Sequence, residues 1–259
     1  MKHAFIDHHS LDDSAVHRLH PATKAAAAAA VLALSLATPF PRYAPFVPLA
    51  LLLLLGALLS RVSLPHLLGK MKIPLGFTLL AVAFMPFFQP SPTRLELAAG
   101  PLAVPYYAES AARALHIAAG AALAIAAMIL LLATTPFQDL LRVLERVRVP
   151  NLLLRILAVF YRYIFILTDE AEKMELAVAA RSAGAFHRGR QLRMAGNLAG
   201  VLFLRSLERG EQVYQSMCAR GFAGRFPSLA APRFRAADAL AAALALAAAA
   251  VSVWRMLTP

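Results

Sequence analysis

Long apolar runs without charged residues recur along this chain, and they restrict its fold more than any other feature. Several approach about 18 residues, close to the length that an α-helix needs to cross a hydrocarbon layer of roughly 30 Å. Hydrophobic residues make up 60% of the 259 residues and charged residues only 15%, whereas soluble domains have about 25% charged residues. A soluble globule would therefore lack polar surface, and the sequence predicts an all-α integral membrane protein.

Five apolar segments are predicted to be transmembrane helices, with prolines and charged residues between them. Pro21 is expected in the first turn of the first helix, where its missing N–H costs nothing. Pro86 is expected to kink the third span, because proline removes an intrahelical hydrogen bond. Residues 61–72 are expected to form a basic loop and residues 90–110 an irregular, proline-rich loop. The spans cover approximately residues 25–38, 46–60, 73–89, 111–133 and 237–257.

The distribution of basic residues gives these spans an orientation. With the N-terminus inside, 22 of the 26 lysine and arginine residues fall in the inside segments 1–24, 61–74 and 134–235. An excess of Lys and Arg on cytoplasmic loops is a general property of membrane proteins. We therefore attribute the net charge of +12 to basic residues that face the cytoplasmic side of the lipid bilayer. No nucleic acid is predicted as a partner. The expected location is the inner (plasma) membrane.

Four regions follow from these patterns. They are a polar, His-rich cytoplasmic N-terminus (1–20), a four-span transmembrane region (21–133), a cytoplasmic coupling domain of long amphipathic helices (134–235) and a C-terminal transmembrane helix (236–259). Within the third region, residues 151–168 are apolar enough to suggest a sixth span. Arg155 and Arg162 lie on one face of that helix, however, and each would cost about 2.5–3.5 kcal/mol at the bilayer centre. We therefore expect this helix to lie at the membrane surface.

Two long helical patterns, over residues 151–183 and 191–220, end in nearly the same three residues. The first ends at Ala180-Arg181-Ser182 and the second at Ala219-Arg220-Gly221. An arginine in the last turn complements the helix dipole and a following glycine permits a left-handed cap, so each triplet could be capping chemistry alone. Arginine also presents a rigid fork of donors that matches carboxylates or carbonyl groups. Its repetition on two helices, each roughly 45–50 Å long, favours two docking sites for copies of one partner.

Catalytic and cofactor-binding patterns are missing from the sequence. The dipeptide Gly69-Lys70 is followed by Met71 and lacks the earlier glycine of a phosphate-binding loop, so neither an enzyme nor a cofactor is predicted. Cys218 is expected to be a small packing residue. The N-terminal histidines suit either metal capture or a solvated terminus, and without zinc-type spacing no metal site is assigned. These histidines are His3, His8, His9, His17 and His20.

Several short motifs together resemble one family of transport proteins. They are Thr134-Thr135-Pro136, Arg162-Tyr163, Asp169-Glu170, Ala180-Arg181, Arg205-Ser206, Glu208-Arg209 and Met217–Phe222, preceded by His20-Pro21-Ala22-Thr23-Lys24. Nearly the whole chain resembles the transmembrane T component of energy-coupling factor (ECF) transporters, most closely the cobalt-transport branch, the CbiQ family. The resemblance is most specific in residues 134–235.

This resemblance implies a multi-subunit importer. Two ABC-type ATPase subunits would each receive one helix end, and a separate substrate-binding membrane protein, the S component, would lie against the chain. Arg181 and Arg220 correspond to the docking residues, whereas Ser182 departs from the family's glycine. ATP hydrolysis would then move the long helices and reorient the S component. Cobalt is the substrate that the branch implies, and nickel is the alternative.

Two other functions stay open at this stage. A self-sufficient secondary metal transporter would need ionisable groups within its spans, and His116 is one of the few candidates. A lone histidine of this kind is more often packed or interfacial, and no inverted repeat is visible. A membrane scaffold without a transport role is compatible with the composition.

Overall fold

The computed structural model describes residues 14, 16–60, 64–88, 94–99, 102–181, 188–222 and 234–258, and within these ranges it is helical apart from one β-hairpin. The predicted all-α membrane architecture is confirmed. The helices are α1 (Pro21–Ala37), α2 (Phe46–Ser60), α3 (Leu64–Ala83), α4 (Met85–Phe88), α5 (Ala108–Thr134), α6 (Phe137–Arg146), α7 (Asn151–Arg181), α8 (Arg188–Ala219) and α9 (Ala236–Leu257); the strands are β1 (Arg94–Ala99) and β2 (Leu102–Tyr107).

Four of the described helical segments are long and apolar enough to cross a membrane: Leu67–Phe87, Ala108–Thr134, Asn151–Arg181 and Ala236–Leu257. The helices α1 and α2, two of the five predicted spans, are apolar but shorter, with 17 and 15 residues. The segment Asn151–Arg181 contains the helix predicted to lie at the membrane surface. Its length and composition suit a span despite Arg155 and Arg162, which agrees with the alternative of a sixth span and not with the preferred prediction of a surface helix.

The region between α2 and α5 differs from the prediction in two places. Helix α3 begins at Leu64, so Lys70 and Lys72 lie on a helix and not in a basic loop. Long lysine side chains can extend their charges from an apolar helix toward a polar boundary, and they do not end it. As expected, the helix is interrupted near Pro86: α3 ends at Ala83 and α4 begins at Met85.

The predicted irregular loop at residues 90–110 is wrong for residues 94–99 and 102–107, which form an antiparallel hairpin. Arg94 pairs with Tyr107 and Ala99 with Leu102. Aromatic and β-branched residues favour strands, and a two-stranded ladder has only edge strands, where a proline such as Pro105 is tolerated. The prolines in this segment therefore made the two strands difficult to predict from the sequence.

Contacts divide the chain into two compact units. We call Lys2–Val143 together with Pro232–Pro259 the span unit, and Leu144–Ala231 the long-helix unit. In the span unit, α5 packs against α1, α2, α3 and α4, while α9 packs against α1 and α2. Its core is formed by Val31, Leu49 and Ala127, each at most 2% exposed. In the long-helix unit, α7 packs against α8.

Close helix packing around α5 depends on a glycine. A Cβ at Gly120 would lie 3.0 Å from the carbonyl oxygen of Ser35 on α1 and 3.5 Å from the Phe46 ring at the start of α2. The absence of a side chain at this position thus allows three helices to approach one another.

Candidate functional site

The end of α8 has a complete left-handed helix cap at the predicted position. Gly221 has φ +76°, and its N–H donates to the carbonyl of Cys218 at 3.0 Å. The N–H of Phe222 donates to the carbonyl of Met217 at 3.0 Å. These two bonds constitute a Schellman motif. The chain therefore turns sharply at Gly221 and leaves Arg220, the last residue before the turn, exposed at the helix tip.

The end of α7 carries the second predicted arginine. Ala180 and Arg181 are its last two residues and both are exposed. Ser182, the third residue of this predicted site, lies outside the described residues. Among the residues that the structure describes, neither Arg181 nor Arg220 forms a salt bridge. Each guanidinium is thus at the surface of the chain, at the C-terminal end of a helix of more than 30 residues.

An ion pair links α7 and α8 near their middle. The Arg205 guanidinium donates a hydrogen bond to the Glu170 carboxylate. Both residues belong to short motifs that carry the family resemblance, and the structure brings these motifs together. The side chains are 54% and 33% exposed, so the pair contributes at most about 1 kcal/mol to stability. Its clearer effect is on the register in which the two long helices pack.

Large apolar side chains remain exposed on both long helices. On α7 these include Leu152 and Phe160, at 66% and 61% exposure, and on α8 Phe203, at 63%. Large apolar side chains exposed along a helix indicate an interaction with a membrane or a partner. The long-helix unit therefore combines two exposed cationic tips with apolar faces that its own packing leaves open.

A buried polar cluster in the span unit joins segments that are distant in sequence. Asp238 on α9 is 1% exposed, and its carboxylate accepts a hydrogen bond from the backbone N–H of His20 at 2.5 Å. On α1, Lys24 donates its ammonium to the carbonyl oxygen of Thr134, at the end of α5, at 2.7 Å. We call His20, Lys24, Thr134 and Asp238 the polar junction. It brings together two segments of the family resemblance, 20–24 and 134–136.

Sequence reasoning did not identify Asp238, although a signal for it exists. An aspartate in the first turn of an apolar segment whose other charged residue, Arg255, lies at the far end is costly unless it has partners. A single lysine in the alanine-rich first helix is a comparable signal. Lys24 could not be paired with Thr134, nor Asp238 with His20, without the tertiary structure, because these contacts span 110 and 218 residues of sequence.

The ionisable residues singled out from the sequence have structural roles where they are described. His116 is 6% exposed, and its ring lies 4.9–5.9 Å from the rings of Phe40, Tyr43 and Phe46. This aromatic environment favours a packing role for the His116 side chain over a role in proton or ion transfer. His20 caps α1, since its Nδ1 accepts the N–H of Ala22 at 3.1 Å. His3, His8 and His9 lie outside the described residues.

Cys218 is exposed, so the prediction that it is a packing residue is wrong. One helical turn before it, Tyr214 donates a hydrogen bond to the Cys218 thiol, and this bond raises the pKa of the Tyr214 phenol. Within the described part of the chain, no three His, Cys, Asp or Glu residues lie together as metal ligands.

The four apolar helical segments of membrane-crossing length among the described residues define a multi-pass helical membrane protein. The family model described as CbiQ, cobalt transport protein, matches residues 12–229. The chain therefore belongs to the CbiQ family of cobalt transport proteins, and it is a transport component and not a catalytic enzyme.

Relatives in three organisms extend this finding. The cobalt transport protein CbiQ of Rhodobacter capsulatus is 33% identical over 155 residues, which is 59% of this chain and 63% of that protein. The nickel permease LarQ of Lactiplantibacillus plantarum is 36% identical over 97 residues, 36% of this chain and 33% of the permease. A protein of Methanocorpusculum labreanum described as a fused cobalt transport protein, CbiMQ, is 26% identical over 245 residues, 86% of this chain but 38% of the fusion.

Proposed function

We propose that this chain is the transmembrane coupling subunit of an ATP-driven, ECF-type cobalt importer. The observation that carries the proposal is the pair of exposed arginines, Arg181 and Arg220, at the ends of two long helices within one unit. Each guanidinium can donate several hydrogen bonds to carboxylates or carbonyl groups of a partner. Two such tips suit two copies of an ABC-type ATPase subunit.

In this proposal, ATP binding and hydrolysis change the distance between the two ATPases and so displace the tips of α7 and α8. The helices act as levers because each is about 45–50 Å long and they are paired through Glu170 and Arg205. The N-terminus and the long-helix unit face the cytoplasm, in agreement with the excess of basic residues in these segments. The protein is thus oriented in the inner membrane with both tips available to cytoplasmic ATPases.

A second membrane protein, the S component, would bind the metal ion and receive the movement. The exposed apolar residues of α7 and α8 offer a surface for such a partner. The fused relative supports this part of the proposal, because the match accounts for only 38% of that protein and the rest can supply a further component. In this scheme the metal ion is the cargo of the S component and not a resident of this chain.

Charge reversal at both tips tests the proposal. The variant Arg181→Glu/Arg220→Glu is expected to insert into the membrane normally, to lose ATPase co-purification and to abolish ATP-dependent cobalt uptake. The matched control Lys173→Glu/Arg193→Glu makes the same change in charge at exposed positions on the same two helices. It should retain both properties. Undiminished ATPase co-purification with the tip variant would refute the docking role.

Nickel is the second candidate substrate, because the relative LarQ is a nickel permease. Uptake of labelled cobalt and nickel by vesicles that contain the co-purified complex would separate the two. Cobalt uptake that nickel does not inhibit supports cobalt as the substrate. Metal uptake by the isolated chain without ATP would instead favour a self-sufficient secondary transporter.

A further inference from the structure

The polar junction is organised by one buried carboxylate that caps the starts of two helices. The Asp238 carboxylate accepts the N–H of His20, immediately before α1, at 2.5 Å and the N–H of Arg235, immediately before α9, at 2.6 Å. Helix starts leave N–H groups without intrahelical partners, and a carboxylate also complements the positive end of each helix dipole. A single side chain therefore holds α1 and α9 together at this point.

A second contact of the junction holds the end of α5. The ammonium of Lys24 donates to the carbonyl of Thr134 at 2.7 Å and interacts electrostatically with Asp139 and Asp238. A cation beside the last carbonyls of a helix stabilises its negative end. Thr134 is 2% exposed, so this contact is formed away from solvent. Three helix ends, those of α1, α5 and α9, are thus fixed relative to one another.

The junction also lies where the chain leaves the span unit and returns to it. After Thr134 the chain enters α6, whose last residues, from Leu144 onward, belong to the long-helix unit. After the long-helix unit the chain returns through Arg235, whose N–H is bound by Asp238. The junction therefore binds the chain at Thr134, before α6 leads out of the span unit, and at Arg235, after the chain has returned to it.

We propose that Asp238 is a positioning residue for coupling. By binding the starts of α1 and α9, next to the contact of Lys24 with the end of α5, it makes displacement of the long-helix unit act on the spans, where looser connections would absorb it. Asp238 does not contact ATPase or metal in this proposal. The inference rests on the proposed function, because it concerns how movement reaches the spans.

The variant Asp238→Asn tests this role in the complete complex with its ATPases and S component. An asparagine keeps the size of the side chain, but its amide nitrogen cannot accept the second N–H. ATPase co-purification and ATP hydrolysis should persist, whereas the number of cobalt ions imported per ATP hydrolysed should fall below that of the wild type, because a connection that has lost one buried charge-assisted hydrogen bond yields more readily when the long helices move. Glu109→Gln is the control, because it removes a carboxylate from an exposed ion pair at the other end of α5.

Transport and hydrolysis at the level of this control would overturn the proposal. Loss of ATPase co-purification in Asp238→Asn would also overturn it, since the residue would then be required for assembly. If wild-type complex shows no ATP-dependent transport, the proposed function fails, and the inference fails with it. A working wild type with an unaffected variant contradicts the inference alone.

A measurement on the wild-type complex tests whether Asp238 fixes the connection, even if Asp238→Asn does not accumulate in the membrane. Hydrogen–deuterium exchange at the amides of His20 and Arg235 should be slow and equal in the nucleotide-free and ATP-trapped states, because a fixed connection stays closed throughout the cycle. Faster exchange at either amide in one of these states would show that the junction opens, which contradicts a fixed connection.

Discussion

Replacement of Gly120 by alanine tests the packing of the span unit. The new Cβ would lie 3.0 Å from the carbonyl oxygen of Ser35 and 3.5 Å from the Phe46 ring. The first distance is shorter than an ordinary carbon–oxygen contact of about 3.3–3.6 Å. Both neighbours lie in or at the ends of packed helices, so relief requires α1 or α2 to move away from α5.

The net effect is the difference between two terms. Overpacking a tight site costs about 1–3 kcal/mol, whereas Gly→Ala in a helix stabilises by about 0.4–1 kcal/mol through the unfolded state. Gly69 on α3 has no atom within 4 Å of the position of an added Cβ, so Gly69→Ala retains only the stabilising term. The free energies of unfolding of the two variants should therefore differ by about 1–3 kcal/mol.

Thermal unfolding in detergent micelles, followed by the loss of helical circular dichroism, measures this difference. For a protein of this size about 2–4 °C correspond to 1 kcal/mol, so the Tm of Gly120→Ala should lie about 2–12 °C below that of Gly69→Ala. Equal Tm values for the two variants would show that α1, α2 and α5 do not pack as closely as described here.

Three further predictions concern helix ends and the pairing of the long helices. Arg148 has φ 64°, which costs a non-glycine residue about 1–2 kcal/mol; Arg148→Gly should raise the Tm, whereas Arg146→Gly, at the last residue of α6, should lower it. Gly221→Ala should introduce the same cost at the end of α8 and weaken ATPase co-purification, whereas an unchanged affinity would separate docking from the cap. Glu170→Arg should destabilise the long-helix unit by about 1 kcal/mol or less, and the further change Arg205→Glu should restore it when both are measured in a double-mutant cycle.

Helix periodicity and composition were sufficient to predict most of the helices. The observed α2, Phe46–Ser60, matches the predicted residues, and α7 and α8 begin and end within about three residues of theirs. Pro150 directly precedes α7 and Gly221 follows α8, and the effects of such residues on a helix are local. The triplet at the end of α8 was therefore recognisable from the sequence alone as a capped helix end with an exposed arginine.

The misses arise where the local pattern and the tertiary environment disagree. Lys70 and Lys72 looked like loop residues because they are charged, yet they lie on α3. The strands at Arg94–Ala99 and Leu102–Tyr107 were hidden by prolines. The importance of Asp238 depends on His20, 218 residues away in sequence. Hydrophobic periodicity carries no information about which two distant segments will share a hydrogen bond.

The bond between Asp238 and His20 also has a consequence for biosynthesis. The N–H of His20 emerges from the ribosome early, but its acceptor follows 218 residues later. At about 5–20 residues per second this interval is roughly 10–45 s. During that time the start of α1 must rely on water, lipid headgroups or an insertion factor. A nascent chain that stops before α9 should therefore expose this segment to proteases that the finished protein resists.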